Sequence, residues 1–305
     1  MTNKNNQKKE QPPVCDYEGS DYQSSFWDTG TRNYEDMVEA VALKRMLHPD
    51  GGELMLEVGA GAGRNTLRYK DFKRIVVMDY SVTQLEQAQE RLGTSDKYIY
   101  VAADVYRLPF VTGLFDSATM IRVLHHMADA HASLKEIRRT QMPGALFILE
   151  FANKKNLKAI FRYLLKKQDW SPYSTEPIEF VEMNFNFHPK MIKNTLEDIG
   201  YAIRKYLTVS HFRVGFLKRL FPTKFLVWLD SIAQYTAPLI KISPSVFVLS
   251  YAEGETPIAK KGSFFSCPEC KAELEDTKEK GYLKCSCGSK WGFSEGIYNF
   301  KQPIP

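Results

Sequence analysis

The sequence predicts an α/β protein: a mostly parallel sheet with helices on both faces, followed by a small cysteine module. Three observations carry this. Short, near-continuous apolar runs alternate with helical stretches between Leu54 and Phe151, the pattern of a sheet buried on both faces. A glycine-rich turn follows the first of those runs. Four of the five cysteines fall between positions 267 and 287, and such clustering in a reducing compartment reads as metal binding rather than disulfides.

In chain order, residues 1–25 are polar and are expected to form a disordered tail. In NYEDMVEAVALKRML (33–47), Tyr34, Met37, Val38, Val41 and Ala42 recur at helical spacing. Pro49-Asp50-Gly51-Gly52 ends that helix. LMLEV (54–58), RIVVMD (74–79), YIYVAAD (98–104), FDSATMIRV (115–123) and ALFILEF (145–151) read as strands. VTQLEQAQERL (82–92) and the segment around 129–140 read as helices between them. LEDIGYAIRKYLTVS (196–210) and VFVLSYA (246–252) supply two more strands, expected as an antiparallel end to the sheet. RVGFLKRLFPTKFLVWLDSIAQY between them is mostly helical and broken at Pro222. EGETPIAKKGS (253–263) has the composition of a linker, which leaves 264–305 as a separate module.

With 305 residues, 44% apolar and 25% charged, the chain can bury a full core without staples. That excludes a disulfide miniprotein, a collagen-like rod and a wholly disordered chain. No apolar run approaches the ~20 residues of a membrane-spanning helix. MTNKNNQKKEQPP lacks the apolar core of a secretion signal, so a cytoplasmic location is expected, with contact at a membrane surface left open. The net charge of +5 is too mild to imply nucleic acid. Its distribution is uneven: residues 154–225 hold fourteen Lys/Arg against six Asp/Glu. An acidic or amphipathic partner is to be sought there.

The strongest motif is Leu56-Glu57-Val58-Gly59-Ala60-Gly61-Ala62-Gly63-Arg64, after a strand and before a helical stretch. Glycines let the backbone turn sharply and approach a ligand. Asp79 stands 20 residues after Gly59 at the end of the second strand, suited to ribose hydroxyls. Asp104 ends the third strand, within reach of an exocyclic amine. Either acid alone reads equally as a helix cap, but the three features together mark the crevice at the carboxyl ends of the strands. Glu57 beside the loop suits a cationic ligand better than the pyrophosphate of a dinucleotide, which also favours G-x-G-x-x-G spacing.

LEVGAGAGR, VVMDYS, AADVYRLPF, FDSATMIRVLHHM and MPGALFILEF together resemble the class I, Rossmann-like methyltransferases that depend on S-adenosylmethionine (SAM), in particular the type 11 group of ubiquinone/menaquinone-biosynthesis methylases. The resemblance covers residues 26–252 and is specific for fold and cofactor, not for substrate. It implies that Gly59, Ala60, Gly61 and Gly63 form the loop around the amino-acid end of SAM, and that Glu57 orients that loop or the ligand's ammonium. Asp79 would hold the ribose, Tyr80 would lie beside the adenine, and Asp104 with Val105 would bind the adenine edge. Arg122 would line the methionine moiety. WDTGTRNYED (27–36) resembles the family's lid, so Arg32 and Tyr34 either close over the cofactor or pack on a surface helix.

SAM carries its own leaving group, so a general base is needed only when the acceptor must lose a proton. His125 and His126 follow the fourth strand and fit either that role or local packing; no catalytic base is assigned. In KKNLKAIFRYLLKK (154–167), Leu157, Ile160, Phe161, Leu164 and Leu165 form one stripe with lysines and Arg162 mostly off it. This fits a lid helix or a helix on an anionic membrane. HFRVGFLKRLFPTKF (211–225) interleaves basic and aromatic residues, a pattern that also suits RNA.

Cys267-Pro-Glu-Cys270 and Cys285-Ser-Cys287 form two close pairs fourteen residues apart. Four thiolates suit a tetrahedral structural Zn²⁺ with no ligand position open for catalysis; the alternative is four reduced thiols without metal. KWGFSEGIYNF (290–300) resembles the end of small zinc ribbons found as methyltransferase activators and as fused domains of rRNA methyltransferases. With six Lys and six Asp/Glu over 263–305, this ribbon is a poor phosphate binder and reads as a docking or stabilising unit on its own catalytic domain. The expected function is methyl transfer from SAM to a small-molecule or lipid-like acceptor. An RNA-modifying enzyme and a non-catalytic SAM-binding scaffold are the alternatives. Oligomeric state is not legible.

Overall fold

The structure, a computed structural model, describes residues 12–20, 27, 29–30, 32–275 and 277–305. Of the expected disordered tail, residues 1–11 and 21–25 lie outside the described residues. Residues 12–20 pack on the body of the protein, as described below.

Helix α1 (Asn33–Met46) carries Glu35 and Asp36 in its first turn and Lys44 and Arg45 in its last, the charge order that a helix dipole favours. Strand β1 (Gly52–Val58) leads into the glycine turn. The helical stretch expected after that turn is a single 3-10 turn, Thr66–Tyr69. Gly59, Gly61 and Gly63 all take positive φ, and too little chain then remains before β2 (Phe72–Asp79) for a helix and its return. Next come α2 (Val82–Leu92), β3 (Tyr98–Ala102), β4 (Phe115–Met120), α3 (Ala130–Thr140) and the long β5 (Gln141–Ala152). Then α4 (Leu157–Leu164) and a two-stranded hairpin, β6 (Ile178–Val181) and β7 (Asn184–Asn186), cover one end of the sheet. Helix α5 (Pro189–Asp198) precedes β8 (Tyr201–Val209). Helices α6 (Gly215–Leu220) and α7 (Thr223–Ala233) flank Pro222, as the sequence predicts, before β9 (Ser245–Ala252). The cysteine module adds β10 (Tyr282–Lys284), β11 (Lys290–Ser294) and β12 (Ile297–Ile304).

One ten-stranded sheet runs β10-β11-β12-β3-β2-β1-β4-β5-β9-β8. Strands β12, β3, β2, β1, β4 and β5 pair in parallel, while β9 is antiparallel to both β5 and β8. The expected antiparallel end is therefore present. Chain order reverses between β1 and β4, so the switch point lies at the carboxyl end of β1.

Alternate strand residues enter different cores. Leu56, Val76, Met78, Phe147 and Leu149 face α3 and α5. Met55, Ile75, Val77, Ile148 and Phe247 face α1, α2 and α7. Both faces are buried, which is why the strands read as continuous apolar runs. The cysteine module is no separate body. Phe265, Leu283, Trp291 and Phe300 belong to the first of these cores, and β12 pairs with β3 from Ile297↔Tyr100 to Asn299↔Ala102. Among the described residues no helix is long and apolar enough to cross a membrane.

Candidate functional site

The switch point opens into a cavity of about 120 Å³ lined by Gly59, Gly61, Asp79, Tyr80, Val105 and Arg122. Six of the predicted cofactor residues thus meet on one chamber. Gly59 sits at φ +69°, and a Cβ there would lie 2.1 Å from Val123 Cγ2. The glycine lets β1 and β4 close together at the point where they diverge. The buried Asp79 carboxylate accepts from Gly61 N (2.8 Å) and Ser81 N (3.0 Å). Burial raises its pKa and these backbone donors oppose the rise. Met78, Ala103, Val105 and Met127 supply an apolar strip beside it.

Four predicted residues do not line the chamber. Glu57 is 4% exposed beneath the loop and accepts from the Thr66 hydroxyl at 2.5 Å. Burial pushes its carboxyl up to about 8, against the Thr66 bond and the Arg64 and Arg68 charges. Ala60 supports the loop through its N–H, which donates to the Met78 carbonyl at 2.9 Å. Gly63 lets α2 approach, since a Cβ there would stand 2.8 Å from Leu92 Cδ1. Asp104 stands behind the chamber wall. Its carboxylate accepts from Tyr106 N (2.9 Å) and lies 3.5 Å from Arg107 Nε, capping the 3-10 turn Val105–Arg107. A short polar side chain at a strand end satisfies the nearest free N–H first, which leaves the chamber wall to Ala103 and Val105.

Arg122 adopts φ +59°, and its N–H donates to Glu150 Oε2 at 2.9 Å. Its guanidinium pairs with Glu39, which also holds Arg64 at 2.9 Å. Burial alone would raise the Glu39 carboxyl, but Arg122 and Arg64 outweigh it and hold the group below its usual range. Trp27 lies against both guanidinium groups, 3.8 Å from Arg64 and 5.0 Å from Arg122. The two readings of Tyr34 resolve toward packing. It is 2% exposed, and its hydroxyl donates to Asp230 of α7 at 2.7 Å.

A second, larger chamber of about 510 Å³ adjoins the first and shares Tyr17, Arg122 and His126 with it. Arg32 lines this chamber, as do His125, Asn153 and Arg213. His126 stands at the junction. Its Nδ1 faces the Met183 carbonyl at 3.0 Å, which can only accept, so Nδ1 carries the proton. Nε2 then holds a lone pair, to which the Tyr17 hydroxyl donates at 3.1 Å. Burial lowers the pKa of His126, and that of His125 further. Both rings are therefore neutral at neutral pH.

Sequence reasoning missed the roof of the first chamber. Val14, Cys15 and Tyr17 line it. The segment is fastened by Glu18, whose carboxylate accepts from Val82 N (3.1 Å) and Thr83 N (2.9 Å) at the start of α2. Lys301 of β12 donates to Glu18 at 3.0 Å and sits 4.4 Å from the Tyr80 ring centroid. The cysteine module therefore reaches the rim of the chamber. Capping acids are common in polar segments, and nothing local in DYEGS marks its partner helix.

In that module all four cysteine sulfurs lie within 4.8 Å of one another. Cys267 and Cys287 are 3.9 Å apart, and Cys270 and Cys285 3.4 Å. Disulfides need about 2.05 Å. A metal bound by four sulfurs at about 2.3 Å needs edges of about 3.8 Å, so the four thiols are placed to hold one metal ion. Lys271 and Gly288, just after each pair, take positive φ and turn the chain around that point.

Residues 56–149 match the methyltransferase domain family. Among curated relatives, a demethylmenaquinone methyltransferase of Clavibacter sepedonicus is 25% identical over 162 residues, 53% of this chain and 58% of that protein. Another, from Corynebacterium kroppenstedtii, is 33% identical over 36% of this chain and 47% of its own. The 27-O-demethylrifamycin SV methyltransferase of Amycolatopsis mediterranei is 25% identical over 43% and 51%. The chain thus spans about half the length of the curated relatives it matches. Its fold is shared with an S-adenosylmethionine-dependent methyltransferase from Listeria monocytogenes (TM-score 0.53, 16% identity, 73% of this chain and 100% of that one). It is shared equally with a chain from the complex of the Haloferax volcanii Trm112 methyltransferase activator with a methyltransferase (TM-score 0.54, 16% identity, 76% and 96%).

Proposed function

We propose that this chain, which carries a methyltransferase domain on a class I Rossmann-like fold, transfers the methyl group of SAM to a small or lipid-like acceptor. One observation supports this above the others: the glycine-loop chamber and the larger chamber meet at Tyr17, Arg122 and His126. A methyl donor and an acceptor need such a pair of abutting sites.

The residues fit SAM. Asp79 offers a carboxylate for ribose hydroxyls, and Tyr80, Met78 and Val105 offer the flat apolar surface a purine needs. Arg122 is paired with Glu39, which offsets part of a positive charge that would repel a sulfonium. Gly59 and Gly61 bring bare backbone to the amino-acid end, with Glu57, Ala60 and Gly63 supporting the loop. The bound cofactor supplies an activated methyl and its leaving group. The protein's part is orientation and exclusion of water: the 14–18 segment roofs the first chamber, and the neutral His126 and the Tyr17 hydroxyl stand where the two chambers meet.

The four thiols support a structural Zn²⁺ site, with Cys267, Cys270, Cys285 and Cys287 as a complete ligand set. A labelled-methyl assay on whole-cell extract tests the reading. Label in the organic-soluble fraction is expected. Label confined to RNA would replace this reading with the RNA-modifying one, and binding of SAM with no transfer would leave a scaffold.

A further inference from the structure

Of the 22 large apolar side chains that stand exposed among the described residues, 18 lie between Leu157 and Ile240. That segment is little more than a quarter of the chain, so the exposure is concentrated. It is also assembled in space. Strands β5 and β8 both run antiparallel to β9, so α4, after β5, and α6, after β8, leave the same end of the sheet. The β6–β7 hairpin covers that end as well, with Asn153 bridging to Phe187. This is the end at which the larger chamber opens, and Phe180 and Asn156 stand on its wall.

The exposure is substantial. Leu164 and Leu165 on α4 are 65% and 62% exposed, and Phe216 on α6 is 69% exposed. Trp228 faces outward from α7 while Leu226 and Val227 of the same helix are buried. Soluble proteins seldom leave so much contiguous apolar surface without a use for it. Its helices α4 and α6 carry one sign of charge: residues 154–168 contain six Lys/Arg and no acid, and residues 211–229 contain four and no acid, while acids, Glu179 and Glu182 among them, sit on and before the β6–β7 hairpin. Lys158, Arg162, Lys166 and Lys167 are exposed.

We propose that this face docks on an anionic lipid bilayer, with the exposed side chains of α4 and α6 and the outward Trp228 of α7 inserted among the headgroups and the larger chamber opening onto the membrane. Charge complementarity selects the occupant. A phosphate backbone would satisfy the cations but gains nothing from Leu164, Leu165, Val181 or Ile240. An anionic interface satisfies both, since apolar side chains enter the acyl boundary while lysines remain at headgroup level. That the chamber draws its acceptor from the membrane rests on the methyl-transfer reading; the docking does not.

The test uses the full chain with vesicles of phosphatidylcholine alone or of equal parts phosphatidylcholine and phosphatidylglycerol, without SAM. The chain has four tryptophans, so quenching of tryptophan fluorescence by brominated lipid is compared between the protein and Trp228→Phe, and the difference reports Trp228 insertion. Binding to the anionic vesicles is expected to exceed binding to the neutral ones at least tenfold, and to weaken with salt. The double substitution Leu164→Asp, Leu165→Asp, at exposed positions, should lower it a further tenfold or more. SAM affinity, measured separately, should be unchanged, so failure of the docking and failure of the methyl-transfer reading give different results. No vesicle binding, binding indifferent to phosphatidylglycerol, or full binding by the double variant would each overturn the proposal. So would salt-sensitive RNA binding through the same lysines with no vesicle binding.

Discussion

At Asp79 a single carboxylate joins the loop to the second strand, accepting from Gly61 and Ser81. Asp79→Ala releases the loop and, with SAM bound as proposed, removes the carboxylate that faces the ribose. SAM affinity should fall at least tenfold by calorimetry, and an unchanged affinity would refute the cofactor assignment. Glu57 makes a different prediction. Its carboxyl titrates near 8 in the fold against an ordinary 4.5, so between those values the folded state binds the proton that the unfolded chain has lost. The contribution of Glu57 to stability is therefore greatest below about 4.5 and declines as pH rises toward 8, by on the order of a few kcal/mol. Glu57→Gln should flatten that decline in denaturation curves of the ligand-free protein; parallel curves for the two proteins would contradict it. Both acids were legible from spacing, because a loop and the strand beside it are tied by short-range geometry. Glu39, Tyr17 and Lys301 were not. Each acts on a residue far away in sequence, and nothing in its own neighbourhood announces the partner.

Helices and strands of the catalytic sheet were legible because each buries a face of fixed period. The α2 boundaries agree with the reading at both ends, and β4 stops at Met120 only because Arg122 turns to φ +59°. The capping role of Asp104 was not legible, because the 3-10 turn that it caps is too short to have a period. The pairing of β12 with β3 was equally hidden, since apolar alternation specifies a strand and its faces but not the strand beside it. The module's two cysteine turns and the Zn²⁺ proposed for them set a prediction at this scale. Cys270→Ser should release the Zn²⁺ and loosen β10 and β11, whose Leu283 and Trp291 pack against the cysteines' core. Metal analysis of the purified variant checks it, and a full zinc content would refute the ligand set.

Over the whole molecule, the cysteine module and the N-terminal segment meet above Tyr80 through Lys301. Lys301→Ala removes the bond to Glu18 and the contact with Tyr80, so the roof opens more often. SAM should bind several-fold more weakly, with the zinc content unchanged; an unaltered affinity would mean that the roof needs no latch. The same seam has a consequence in time. Tyr100 leaves the ribosome roughly 10–40 s before its partner Ile297, at ordinary elongation rates. Throughout that interval the β3 edge presents unpaired N–H and C=O groups beside apolar side chains, a template for other nascent chains. The pairing that completes the sheet is also among its most non-local, the kind that forms slowly. Nascent chains stalled before β12 are then the species that chaperones must hold, and β12 is the segment that ends their exposure.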